Sequence, residues 1–218
     1  MKLVVFGTGD IARLAHVYFE TDSTYDVVAF TVDRAYCDQK RFRDLPLVPF
    51  DEVGETYPPQ SHAMFIAVSY AQMNKLRAEK YREAKGMGYV LASYVSSKCT
   101  FLSEHSVGDN CFILEDNTIQ PFVKIGSNVT LWSGNHIGHD ATIEDHCFLA
   151  SQIVVSGRVR IGEYCFIGVN ATLRNSIIVA PRTLIGAGAV IMKDTEEGGV
   201  YLAPRPTLAD KRSDEITL

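Results

Sequence analysis

The sequence has no apolar run long enough to cross a bilayer. Its opening, MKLVVFGTGD, carries a short apolar stretch broken by two glycines, too short for a signal-peptide core or a spanning helix. No membrane insertion and a cytoplasmic location are therefore expected. There is no basic excess either: 21 Lys and Arg stand against 26 Asp and Glu, a formal charge of −5, which gives no electrostatic reason to expect a nucleic-acid partner. CxxC pairs are missing, and the five cysteines form no regular framework, which argues against disulfides and a structural zinc cluster. What remains is an ordinary globular composition, 46% hydrophobic over 218 residues, enough to bury a core without covalent help in two small domains or one large one.

Two periodicities divide the chain. Over residues 1–92 strands and helices alternate: KLVVFG (2–7), YDVVAFTVD (25–33) and HAMFIAVS (62–69) read as strands. DIARLAHVYFETD and the charged AQMNKLRAEKYREAKGMG read as helices, the second stopping at Gly86 and Gly88. That order predicts a small parallel sheet covered by helices, a Rossmann-like α/β unit. From about residue 93 to 194 the repeat is six. Val107, Ile113, Ile119, Ile125, Leu131, Ile137, Ile143, Leu149, Val155, Ile161, Ile167, Leu173, Val179, Ile185 and Ile191 lead successive units. The residue after the leader is often glycine, and the fourth after it is usually small or β-branched, as at Cys111, Ala141, Cys147 and Cys165. Neither a helix nor an ordinary strand has this period. A triangular parallel β-helix does, with three units to an 18-residue coil, leaders pointing inward and the cysteines as core fillers.

The hexapeptide pattern, [IVL]-G-x-x-[small]-x repeated, resembles the left-handed β-helix acyltransferases. With VVFGTGDIA, AVSYAQMNKLR and NHIGHD, the chain is similar to one subfamily: bacterial sugar O-acyltransferase and sialic acid O-acetyltransferase-like proteins, and N-acetyltransferases of nucleotide-linked 4-amino sugars of the bacillosamine and perosamine pathways. The resemblance implies a left hand for the coil, where the general preference for right-handed crossovers would argue otherwise. It also implies a homotrimer with acetyl-CoA sites between adjacent β-helices, a C-terminal tail (195–218) contributing to those sites, and no metal requirement. The expected activity is acetyl-CoA-dependent N-acetylation of a nucleotide-linked amino sugar for surface polysaccharide. O-acetylation of a sugar or sialic acid hydroxyl is the alternative within that class. A β-helix scaffold, or a metal protein using His136, His139 and Asp140, is the alternative outside it.

On this backbone the resemblance makes His139 the general base and Asp140 the acid that orients it. An unperturbed imidazole titrates near ~6.5, and a carboxylate on its other nitrogen fixes the tautomer. Gly157 lies one coil further, about 4.8 Å along the axis, and is expected to offer its N–H to the oxyanion, or else to fill a corner that needs positive φ. His136 is a candidate for the acceptor pocket, and His146 a weaker candidate for the second functional histidine that some members of the family carry after the base. For acetyl-CoA the candidates are Gly168, Asn170, Gly186, Ala187 and Gly188, with Lys193, Arg205 and also Arg182 toward the phosphates. The tail departs from the family's G-x-P-A-[KR] run and reads LAPRPT. In the N-terminal unit GTGDIA places Gly7, Gly9 and Asp10 where a helix N-terminus meets a pyrophosphate. Asp33 is expected at the base or ribose, and Ser69 and Tyr70 near the phosphates.

Overall fold

The structure is a computed structural model in which residues 1–210 and 212–217 are described. Its first half contains β1 (Lys2–Phe6), α1 (Asp10–Thr21), β2 (Asp26–Val32), β3 (Arg41–Phe42), β4 (Leu45–Pro49), α2 (Val53–Thr56), β5 (His62–Ile66), α3 (Lys75–Gly86) and β6 (Val90–Leu91). They form one sheet in the order β3-β4-β2-β1-β5-β6, parallel except for the β3–β4 hairpin. The central strands are buried on both faces and therefore read as continuous apolar runs. On one side α1 packs through Ala12, Ala15 and Phe19, and on the other α3 packs through Tyr81 and Ala84.

Three features were not in the sequence reading. LPLVP forms β4 despite its two prolines; it lies next to the edge, covered by only two residues of β3, where missing donors are tolerated. Helix α3 begins at Lys75 rather than Ala71, because Gln72, Met73 and Asn74 are all left-handed (φ 52°, 53° and 65°). The strand expected over 62–69 ends at Ile66.

Beyond Ala92 the chain winds into the parallel β-helix. Two-residue strands recur every six positions and pair with the strand 18 residues away, as Thr118, His136, Val154, Thr172 and Val190 do in register. Three faces result. The docking face runs from Tyr94–Val95 through Thr130–Leu131 to Val200–Tyr201, so its last strand comes from the segment read as tail. The second face carries His136–Ile137 and the third Thr142–Ile143. Every leader from Ile113 to Ile191 is at most 6% exposed, and Cys111, Cys147 and Cys165 are fully enclosed, so the prism's narrow interior accounts for both patterns.

The corners obey a second rule. The residue three places after each leader is left-handed from Asn110 to Gly188, Asp140, His146, Arg158, Asn170 and Arg182 included. The glycine that follows a leader is not. At Gly138 an added Cβ would stand 2.5 Å from the Gly157 nitrogen, and at Gly168 2.6 Å from that of Ala187. Close approach of the next coil, not positive φ, demands those glycines.

The α/β unit sits on the docking face. Phe112 and Leu114 join the same buried cluster as Phe19, Phe30 and Phe65. Around the prism the corners alternate with the faces: edge A (132–135 and its 18-residue repeats) joins docking and second faces, edge B (138–141) second and third, edge C (144–147) third and docking. Edge B therefore lies across the prism from the α/β unit.

Candidate active site

His139 and Asp140 stand on edge B. The third place of a unit leaves the prism wall, so the imidazole projects outward, and the left-handed backbone of Asp140 (φ 58°), a conformation short polar residues tolerate, turns its carboxylate back to it. Asp140 Oδ2 lies 2.7 Å from His139 Nδ1. A carboxylate there accepts the Nδ1 proton and leaves the lone pair on Nε2. The His139 amide donates to Gln120 Oε1 at 2.8 Å, and its carbonyl accepts from the Arg158 amide at 2.9 Å. Both side chains are about half exposed, 49% and 46%, so the pair contributes little to stability.

Gly157 is where the 18-residue coil placed it, and its φ is not positive; the left-handed residue is its neighbour Arg158 (φ 60°). The corner explanation for this glycine therefore fails. A Cβ on Gly157 would lie 2.6 Å from His139 Nε2, so the absent side chain is the space the imidazole occupies. Its N–H donates to no group among the described residues. Most third-place amides on the coil share that freedom; the facing imidazole is what sets Gly157 apart.

The other histidines separate. His136 is a half-buried strand residue on the second face, paired in register with Thr118 and Val154. His146 is buried on edge C, with its Nδ1 2.9 Å from the Asn128 amide and its ring against Tyr81 and Tyr164. Asn128 Oδ1 accepts from Arg77 and Asn110, so its amide nitrogen must donate to an unprotonated Nδ1. Desolvation pushes the pKa of His146 down to about 4.

Gly168, Asn170, Gly186, Ala187 and Gly188 all lie on edge A, so within one chain they and His139 flank the second face from opposite sides. The fold alone explains several of them: contact with Ala187 at Gly168, and left-handed corners at Asn170 (φ 58°) and Gly188 (φ 69°). Lys193 is exposed on edge B, three coils beyond His139, and Arg205 is exposed in the tail. Arg182 sits on edge C, where its guanidinium pairs with Glu197.

Of the residues read for an acceptor, all but His136 gather at the carboxyl ends of β1, β2 and β5. This is where the strand order reverses about β1, the place at which open α/β sheets form their ligand-binding crevice. Gly7 (φ 119°) passes so near Ala67 that a Cβ would lie 2.8 Å from its carbonyl oxygen, whereas a Cβ on Gly9, at the N-terminus of α1, would meet open space. Asp10 is exposed and paired with Arg13 at 3.3 Å. Asp33 accepts a 2.7 Å bond from Lys80, a mostly buried lysine that also pairs with Glu83 and was not singled out from sequence. The Ser69 carbonyl accepts from Arg77, and Tyr70 is 50% exposed with its ring against Phe148 and Phe166. Arg77 and Asn74, both buried, were likewise missed, because NKLRAEKYRE reads as a solvated helix face. Among the described residues no group of three or more His, Cys, Asp or Glu is placed to hold a metal ion, and no helix is long and apolar enough to cross a membrane.

Comparison with known proteins places the repeat. Residues 104–139 match the family model for bacterial transferase hexapeptide (six repeats), and residues 158–193 that for the hexapeptide repeat of succinyl-transferase. UDP-3-O-acylglucosamine N-acyltransferase of Delftia acidovorans is 29% identical over 93 residues, 43% of this chain and 26% of that protein. An acyl-[acyl-carrier-protein]–UDP-N-acetylglucosamine O-acyltransferase of Stutzerimonas stutzeri is 26% identical over 95 residues, covering 40% of this chain and 37% of that protein. These curated relatives are thus matched over well under half of their own length. The acetyltransferase domain of PglB from Neisseria gonorrhoeae superposes with a TM-score of 0.81 at 23% identity over 93% of this chain and 96% of that one. A point mutant of perosamine N-acetyltransferase from Caulobacter crescentus, in complex with CoA and GDP-perosamine, gives 0.79 at 21% over 93% and 94%. WeeI from Acinetobacter baumannii gives 0.78 at 18% over 92% and 96%. Repeat and fold together make this chain an α/β unit joined to a left-handed β-helix built of hexapeptide repeats.

Proposed function

We propose that the protein is an acetyltransferase that moves an acetyl group from acetyl-CoA to the amine of a nucleotide-linked amino sugar for surface-glycan synthesis, with His139 as general base. The observation that carries this reading is the constellation on edge B: Nδ1 of His139 held by Asp140, and Nε2 facing a glycine whose missing side chain makes room for it. The fold neighbours whose described complexes hold acetyl-CoA, or CoA with GDP-perosamine, support the two substrate classes.

The chemistry follows from the geometry. The neutral acceptor amine attacks the thioester carbonyl while Nε2 takes its proton, so the new C–N bond forms without leaving a cation on nitrogen. Negative charge gathers on the carbonyl oxygen, where the free Gly157 N–H can donate to it. Collapse breaks the C–S bond, and the imidazolium returns the proton to the departing thiolate, giving the amide and free CoA thiol. Asp140 holds one tautomer throughout.

Edge B and the acceptor crevice lie on opposite sides of the prism, so a single chain cannot bring them together. In this reading His139 of one copy serves an acceptor held by a neighbouring copy, with acetyl-CoA in the groove between β-helices, Gly168, Asn170, Gly186, Ala187 and Gly188 beside the pantetheine arm, and Lys193 and Arg205 toward the phosphates. A closed homotrimer provides three such grooves. Around the acceptor, Gly7, Gly9, Asp10, Asp33, Ser69 and Tyr70 line the crevice, and His136 borders the base.

A panel of UDP-, GDP- and dTDP-linked amino sugars and free sialic acid, assayed for CoA thiol release and product mass, tests the reading. One nucleotide-linked amine should gain an acetyl group in a manner lost in His139→Ala. Turnover of a hydroxyl acceptor alone would replace the amine reading with O-acetylation, and turnover of none would refute acetyl transfer.

A further inference from the structure

Two unusual features converge on the segment between β5 and α3. The first is strain. Gln72, Met73 and Asn74 are three consecutive non-glycine residues in the left-handed region, a conformation that crowds Cβ against the backbone and persists only where surroundings hold it. The second is a buried cation whose partners are neutral. Arg77 is 2% exposed and touches no carboxylate among the described residues. It is satisfied by oxygens: Asn128 Oδ1 and carbonyl at 3.2 Å, the His146 and Cys147 carbonyls at 3.2 and 3.1 Å, and the Ser69 carbonyl at 3.2 Å. Burial pushes its pKa down to about 10, a measure of what enclosing it costs. Asn74, fully buried, adds bonds to the Tyr164 and Cys165 carbonyls at 3.4 and 3.1 Å.

These contacts join the α/β unit to consecutive coils of edge C, from Asn128 through His146 to Cys165. An apolar seam would join them without the desolvation that a lone guanidinium carries. What the polar one adds is direction: carbonyls on two coils and one on the loop fix the guanidinium plane, and with it Ser69 at the lip of the crevice. Tyr70 follows, half exposed, gripping Phe148 and Phe166, while the guanidinium carbon lies 5.7 Å from the centroid of the same Phe148 ring.

We infer that Arg77, with Asn74, is a positioning residue: it clamps a strained loop so that Ser69 and Tyr70 present a fixed, acceptor-recognising edge at the junction of the two domains. This rests on the functional reading above in taking the ligand of that crevice to be the nucleotide-linked acceptor, and it assigns recognition of that ligand to a loop whose geometry the β-helix sets.

The test separates positioning from mere stability. In the Gln72→Gly/Met73→Gly double variant the strain is relieved, so thermal stability should hold or rise. The released loop should nevertheless raise the acceptor KM about tenfold or more and leave the acetyl-CoA KM unchanged. Arg77→Lys, which keeps the charge but not the planar fork, should do the same and weaken UDP or GDP binding measured by calorimetry without acetyl transfer. Unchanged acceptor KM in the glycine variant, or equal increases for both substrates, would overturn the inference. An inactive wild type would defeat the functional reading while the calorimetric comparison still decides the clamp: equal diphosphate affinity in wild type and Arg77→Lys, or none in either, refutes it.

Discussion

Replacing Gly157 by Ala adds a single methyl group with opposite effects on fold and chemistry. The backbone there is not in the left-handed region, so alanine costs nothing in φ. By restricting the unfolded chain it should add about 0.4–1 kcal/mol of stability. The new Cβ would stand 2.6 Å from His139 Nε2 and 3.0 Å from Cδ2 and Cε1, some ~0.5–1 Å inside ordinary contact distance. The imidazole is half exposed and free to rotate away, so relief is cheap, on the order of 1 kcal/mol if it leaves its rotamer. Rotation carries Nε2 away from the Gly157 amide and pulls Nδ1 from Asp140. A general base contributes roughly 10²–10⁴-fold. We expect kcat/KM for acetyl transfer, followed by thiol release, to fall about 100-fold or more while the melting temperature stays close to that of the wild type, the two stability terms nearly cancelling. A crystal structure should show His139 displaced. Gly157→Ala with wild-type turnover, or with His139 unmoved, would refute the packing argument.

Asp140→Asn removes the charge that holds Nδ1–H; because both groups are half exposed and screened, the expected loss in kcat/KM is about 10–100-fold, less than for His139→Ala. An unchanged rate would show that the carboxylate does not orient the base. The buried His146 predicts an acid-sensitive fold. Its folded pKa of about 4 lies below the unfolded value of 6.5, so the unfolded chain takes up the proton first. The stability from keeping it neutral is therefore complete above pH 6.5 and is lost as pH falls toward 4, on the order of 2 kcal/mol after solvent screening. Urea titrations between pH 7 and 4 should show that loss in the wild type and a smaller one in His146→Asn; identical slopes would refute it.

The β-helix was legible because its geometry repeats. One inward aliphatic every six residues is a constraint local sequence must meet, and 18-residue arithmetic placed Gly157 beside His139. The same arithmetic distributes His136, His139 and His146 to a face and two different edges, which proximity in sequence concealed. Hidden from sequence were features set by docking. Arg77 and Lys80 occupy a charged helix that looks solvated; burial comes from the β-helix edge for Arg77 and from the Phe6 and Phe50 rings for Lys80, neither adjacent in the chain. The left-handed turn at Gln72–Asn74 contains no glycine to announce it. The glycines after the leaders were visible, but their cause was not, since a close approach and a positive φ leave the same letter.

Mixing two inactive variants tests most directly whether His139 of one copy acts on an acceptor held by another. His139→Ala removes the base. Gly9→Glu places a carboxylate in open space at the N-terminus of α1, where an acceptor diphosphate would lie, without disturbing packing. Each variant alone should be inactive. Subunits dissociated together and reassembled should regain acetyl transfer, because some interfaces then pair an intact His139 with an intact crevice. A reassembled mixture as inactive as its parents would contradict a site shared between copies.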